Sequence, residues 1–148
     1  MEITEVRVRL LEGRHDRLRA YATITLQGHY VVRDLRVIEG TRGVFVAMPS
    51  RRLADRCMRC GCKNHLRATF CNDCGTRLPP GRAQRDATGR LRLHCDVCHP
   101  VNKEARELLE SQVLKKYFED LEAKRLGRYT PPSEEEYDYE EEGGEHEA

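Results

Sequence analysis

Four cysteines carry the clearest chemistry in this sequence. They stand in two CxxCG units, Cys57 with Cys60 and Cys71 with Cys74, and ten residues separate the inner pair. A CxxC loop folded on itself presents both sulfurs on one side of a tight turn, and two such loops supply the tetrahedral thiolate shell of a structural zinc. Gly61 and Gly75 follow the two pairs, where a residue free to take positive φ lets the backbone wrap around a metal. The spacing assigns one structural Zn2+ per chain to Cys57, Cys60, Cys71 and Cys74. The competing reading, reduced thiols without a ligand, does not account for the paired units. Cys62 is a spare thiol that could replace Cys60, although Cys60 gives the symmetric arrangement.

Cys95 and Cys98 form a third CxxC between His94 and His99. A second metal site or a redox pair would use such residues, but spacing identifies no further ligands, and a cysteine packed as a small hydrophobe is the plainer reading. His99 has no accompanying nucleophile, carboxylate pair or phosphate-cradling glycine loop, so nothing here specifies an enzyme.

The elements that must position these residues follow from pattern. Val6, Val8 and Leu10 alternate with Arg7 and Arg9, and Leu18 to Leu26 alternates in the same way, so two antiparallel strands flank a turn at Glu12 to Asp16. Gln27-Gly28 is the next tight turn, Tyr30 to Ile38 a third strand, and Val44 to Met48 a fourth, stopped by Pro49. The cysteine module follows, then Leu78-Pro79-Pro80-Gly81, and Arg90 to Leu93 returns as a strand beside the one ending at Met48. Asn102 is an N-cap, and Ala105, Leu108, Leu109, Val113, Tyr117 and Leu121 recur at helical spacing until Gly127. The class is α+β: an antiparallel β-sheet with a C-terminal α-helix and a small inserted module.

Charge is segregated. The formal net charge is +1, yet residues 133–148 hold nine acids and no Lys or Arg, which leaves the other 132 residues with 26 cations against 16 anions. Residues 51–92 alone carry eleven Lys and Arg against Asp55, Asp73 and Asp86. Such a field favours a polyanionic partner. The acidic stretch has too little apolar content to fold and reads as disordered. No apolar run is long enough to span a membrane, and the first residues lack a signal peptide's apolar block. Seven cysteines, five of them in one knuckle-spaced window, fit a reducing cytoplasm better than a secreted disulfide scaffold.

Two resemblances extend this reading. Cys57 to Gly75, with Asn64, Ala68 and Phe70, resembles the zinc-ribbon family. MEITEVRVRL, AYATITLQGHYVVRDLRVIEG, GVFVAMPSRR and DVCHPVN, in that order, look like the stage V sporulation protein G (SpoVG) family. That resemblance covers residues 1–52 and about 94–122; together with composition it gives a core of residues 1–52 and 93–127, an insertion at 53–92 and a disordered acidic tail at 128–148. It further implies a bacterial regulator tied to septation and sporulation, usually homodimeric, in a family several of whose members bind DNA or RNA without being enzymes. The family's contacts involve a basic pair after the MPS segment, here Arg51 and Arg52. Where the family has a short hairpin turn, this chain carries the zinc-ribbon-like insertion, which adds Arg56, Arg59, Lys63 and Arg67 as candidate nucleic-acid contacts. The alternative is a protein-interaction adaptor acting through the ribbon or the acidic tail, with no direct nucleic-acid binding. Nothing in the sequence itself points to sporulation.

Overall fold

The computed structural model describes residues 1–13 and 17–133. The expected turn at Glu12–Asp16 lies partly, and the acidic stretch from residue 134 wholly, outside them. The chain forms two compact units, Met1–Ala47 together with the segment from Pro100 onward, and Met48–His99.

In the first unit β1 (Ile3–Leu10), β2 (Leu18–Leu26), β3 (Tyr30–Gly40) and β4 (Gly43–Ala47) make a four-stranded antiparallel sheet in sequence order. Register puts Ala20 opposite Val37, Val37 opposite Val46, Val8 opposite Ala22, and Ala22 opposite Leu35, so the buried residues form rows across one face. Gln27 and Gly28 both take positive φ, and His29 N–H bonds Leu26 O at 2.9 Å. That backbone suits the right-handed twist of a hairpin. β3 also holds an extra residue opposite β2 between Val32 and Leu35, where Asp34 sits at φ 63°.

The helix α1 (Lys103–Arg125) packs on β1, β2 and β4 and buries Leu109, Val113 and Tyr117. Asn102 caps it by accepting from Ala105 N–H at 2.8 Å. At the other end Gly127 N–H bonds Lys124 O and Arg128 N–H bonds Ala123 O, the paired bonds of a Schellman stop, with Gly127 at φ 72°. Leu121, expected on the buried face, is exposed. Asp120 is buried in its place and pairs with Lys116 at 3.2 Å one turn back.

In Met48–His99, β5 (Ser50–Arg52) pairs antiparallel with β8 (His94–Asp96), and β6 (Ala54–Arg56) with β7 (Lys63–His65). The return strand thus forms at His94–Asp96, not at Arg90–Leu93. Residues 84–92 are already committed to a hairpin of their own. Asp86 accepts from Thr88 N–H and Arg90 N–H, Gly89 turns at φ 81°, and Arg92 N–H bonds Gln84 O at 2.7 Å.

The segment after α1 is not free chain at its start. Tyr129 OH accepts from Leu10 N–H (3.0 Å) and donates to Val8 O (2.9 Å), while Arg9 Nη2 donates to Pro132 O (3.0 Å). These bonds tie the chain to β1 as far as Pro132. Tyr129→Phe should cost about 1 kcal/mol by removing both bonds, and urea unfolding monitored by circular dichroism checks it; unchanged stability would mean water replaces the phenol.

Candidate metal centre and basic surface

The two knuckles repeat one backbone pattern. Cys57 N–H bonds Cys62 O and Cys71 N–H bonds Thr76 O, both at 2.8 Å. Gly61 N–H returns to Cys57 O (2.9 Å) and Gly75 N–H to Cys71 O (3.1 Å), with the glycines at φ 77° and 73°. An L-residue is strained at those angles, so glycine is what permits each loop to close.

The loops face each other. Cys57 Sγ lies 3.8 Å from Cys74 Sγ, and Cys60 Sγ lies 3.5 Å from Cys71 Sγ. All four sulfurs fall within 4.8 Å of one another. These separations far exceed a disulfide bond of about 2.05 Å and match the roughly 3.8 Å edge of a tetrahedron whose metal–sulfur distance is about 2.3 Å. The donor set therefore fits a thiophilic cation. Cys57 and Cys71 are buried, whereas Cys60 and Cys74 reach the surface. Cys62 stays outside the group, packing against the cluster of Cys57, Cys71 and Leu78, and burial pushes its thiol up. Cys95 and Cys98 are joined by no third ligand among the described residues.

Surrounding donors favour negative sulfur. Arg59 N–H points at Cys57 Sγ (3.4 Å) and Cys62 N–H at Cys60 Sγ (3.5 Å). Asn64, buried on β7, donates to Cys71 Sγ (3.4 Å) and to Cys62 O, and accepts from Asn72 N–H at 2.8 Å. One amide thereby ties the two knuckles together, the role that outer ligands play around a metal. The Cys74 backbone N–H and then the Asn64 amide lower the Cys71 thiol to about 6. The Cys62 backbone N–H favours the Cys60 thiolate, but lost hydration and the neighbouring thiols outweigh it and push Cys60 up to about 12. The Thr76 hydroxyl and backbone N–H likewise lower the Cys74 thiol, so Cys71 and Cys74 favour the thiolate while Cys60 opposes it until a cation shares the charge.

The candidate contacts are all exposed, and they are not equivalent. Arg51 and Arg52 stand on β5, opposite Cys95 and His94. Arg56 on β6 stands directly opposite Lys63 on β7, a like-charge pair that disfavours the hairpin unless an anion joins it. Arg56 Nη1 also donates to Gly61 O, and Arg59 reaches across to Thr76 on the other knuckle. Arg67 follows β7 and makes no ion pair among the described residues. Sequence reading missed Arg82, whose side chain is only 12% exposed and is paired with Asp55. It also donates to Ala68 O (2.8 Å), Pro79 O (3.0 Å) and His65 O (3.3 Å), holding β6 and β7 against the second knuckle. No spacing rule marks it, because its partners are mostly carbonyls.

The lowered Cys71 value has a definite sign. Its stabilisation is present above the ordinary thiol value and is lost as pH falls through about 6. Asn64→Leu removes the amide donor, so the Cys71 thiol should rise toward its ordinary range. Acidification of metal-loaded protein, followed with a chromogenic metal indicator, should release the ion at a higher pH in the variant than in the parent; an unmoved release midpoint would assign the effect to the backbone donors alone.

The SpoVG family profile matches residues 1–119. Among individual relatives, a phytoplasma protein (Onion yellows, strain OY-M) is 31% identical over 137 residues, covering 93% of this chain and 94% of its own. A Bdellovibrio bacteriovorus protein is 33% identical over 123 residues (83% and 79%), and one from Anaeromyxobacter sp. (strain Fw109-5) is 35% identical over 121 residues (82% and 86%). All three carry the name "Putative septation protein SpoVG". With its sheet, its MPS and HPVN segments and most of its helix inside the matched region, this chain belongs to the SpoVG family.

Proposed function

We propose that this chain is a SpoVG-type regulator, not an enzyme, linked to septation and binding DNA or RNA through a basic surface that a zinc-held insertion enlarges. The observation that carries the reading is the uncompensated charge of Met48–His99. It holds eleven Lys and Arg, and among the described residues Arg82 is the one of them tied to a carboxylate. A polyanion gains from that field, and exposed guanidinium groups suit bidentate phosphate contact. The names of the relatives support the septation link. The thiol-rich unit suits a reducing compartment such as the cytoplasm. A homodimer is part of the proposal. Tyr21 and Phe45 are exposed, and the pairing register puts both on the sheet face opposite the buried rows.

A second reading, a ribbon that docks on protein, draws on one observation. Met58 in the first knuckle is 92% exposed and Phe70 beside the second is 59% exposed. Salt separates the two, because phosphate contacts make affinity fall steeply with ionic strength while apolar docking does not.

In this proposal Cys57, Cys60, Cys71 and Cys74 hold one zinc, which cross-links the knuckles of the 53–92 insertion. Metal analysis of protein purified without chelator should find about one zinc per chain. Cys71→Ser should lose it and unfold the insertion while the sheet and α1 persist by circular dichroism. Absence of metal from the parent protein would overturn this part.

Changing Arg51 and Arg52 together to Ala should weaken binding similarly on unrelated sequences and reduce the magnitude of the salt slope by about one to two units. Anisotropy titrations over a salt series measure this, and light scattering on the same samples should give two chains per particle. Parent-like affinity would move the contacts onto Arg56, Arg59, Lys63 and Arg67.

A further inference from the structure

Met48–His99 also contains a concavity of about 230 Å³ with an unusual division of chemistry. Its apolar part is Leu53, Leu66 and Leu93, all half-buried, and its rim is Arg52, His65, Arg67 and His94, all exposed. No Asp or Glu lines it.

The backbone explains why these residues converge. Leu53 joins the two small ladders: its N–H bonds Leu93 O at 2.8 Å, and its O accepts from Leu66 N–H at 3.3 Å. The three leucines are therefore neighbours across two strand junctions. Arg52 stands opposite His94 in the β5–β8 register, and His65 opposite Ala54 in the β6–β7 register. Two imidazoles and two guanidinium groups line the same concavity as these leucines.

Phosphate alone does not use such a site. A backbone anion satisfies Arg52 and Arg67 and leaves the leucines wet. A protein segment would cover the leucines, but an apolar segment leaves the cations unpaired. The ligand that meets both demands carries a flat, largely apolar ring next to an anion, and an unpaired nucleobase with its flanking phosphates is that ligand. Imidazole and guanidinium planes stack on any base, and the apolar floor removes its lower face from water. In a duplex the bases are paired and stacked, so the same pocket meets only phosphate.

We infer that the pocket bounded by Arg52, His65, Arg67 and His94 over Leu53, Leu66 and Leu93 takes one unpaired base, so that this chain prefers single-stranded nucleic acid. The inference rests on the nucleic-acid reading above and adds a strand preference and the residues that set it.

The experiment compares three probes of equal length on the full chain at one salt concentration. They are a single-stranded oligothymidylate, a duplex, and an abasic oligodeoxynucleotide that keeps the phosphates and lacks the bases. The single strand should bind at least about tenfold tighter than either of the others, since each stacked base contributes measurably to affinity. His65→Ala with His94→Ala, both exposed positions that leave the three leucines in place, should remove most of that advantage while duplex and abasic affinities stay unchanged. Leu66→Ser, which keeps its backbone bond to Leu53, should act in the same direction. Circular dichroism of both variants should match the parent. Equal affinity for all three probes, or variants that leave the single-strand advantage intact, would overturn the pocket while keeping the basic-surface reading. No binding to any probe would overturn both.

Discussion

Holding the two knuckles together is the central problem of Met48–His99, because very little apolar surface is available to do it. The buried cluster there consists of Cys57, Cys71 and Leu78, with Cys62 and Ala68 packed against it. So small a core supplies too little hydrophobic stabilisation to order a unit of this size, and small domains of this kind rely on covalent or metal cross-links. The facing sulfurs of Cys57 with Cys74 and Cys60 with Cys71 have the geometry that a metal cross-link would need. The dependence runs outward from them. Without convergence of the knuckles, Asn64 loses its second partner and Arg59 loses Thr76.

The arginines of this unit divide into two kinds. Arg82 spends its guanidinium on one carboxylate and three carbonyls, so it fixes the fold and has little left for a ligand. Arg51, Arg52 and Arg67 are exposed and take no ion pair among the described residues. The opposed Arg56 and Lys63 fall between: the hairpin keeps them together, and an anion between them would relieve their repulsion. A count of positive residues overstates the binding surface for this reason.

What could be read in advance was whatever depends on local spacing. The CxxCG units, the period-two strands, the Gln27-Gly28 turn, the Asn102 cap and the Gly127 stop each rest on residues within one or two turns of each other. Features that depend on distant partners were not legible. Tyr129 bonds β1 from more than a hundred residues away, Arg82 depends on where four carbonyls and carboxylates come to rest, and the leucine-floored pocket exists only because Leu53 meets both Leu66 and Leu93. Two local features also misled. Arg90–Leu93 looks strand-like, but the Asp86 turn claims it, and helical spacing offered Leu121 where Asp120 with Lys116 fills the buried position. The extra residue at Asp34 shows in the sequence only as the odd step from Val32 to Leu35, which a reading of one continuous strand passes over.

The phenol of Tyr129 has a bearing on self-association. β1 lies at one side of the sheet, and its Val8 carbonyl and Leu10 amide face away from β2. A vacant pair of that kind invites a strand from another molecule, and end-to-end polymerisation of sheets begins at such places. Here both groups are already engaged by one hydroxyl, with Pro132 pinned by Arg9 just beyond. An incoming strand would have to evict a side chain anchored by the stopped helix before it gained its first bond. The residues leading out of α1 therefore act as a stopper on this margin, keeping a chain rich in β-structure from growing into fibrils on that side.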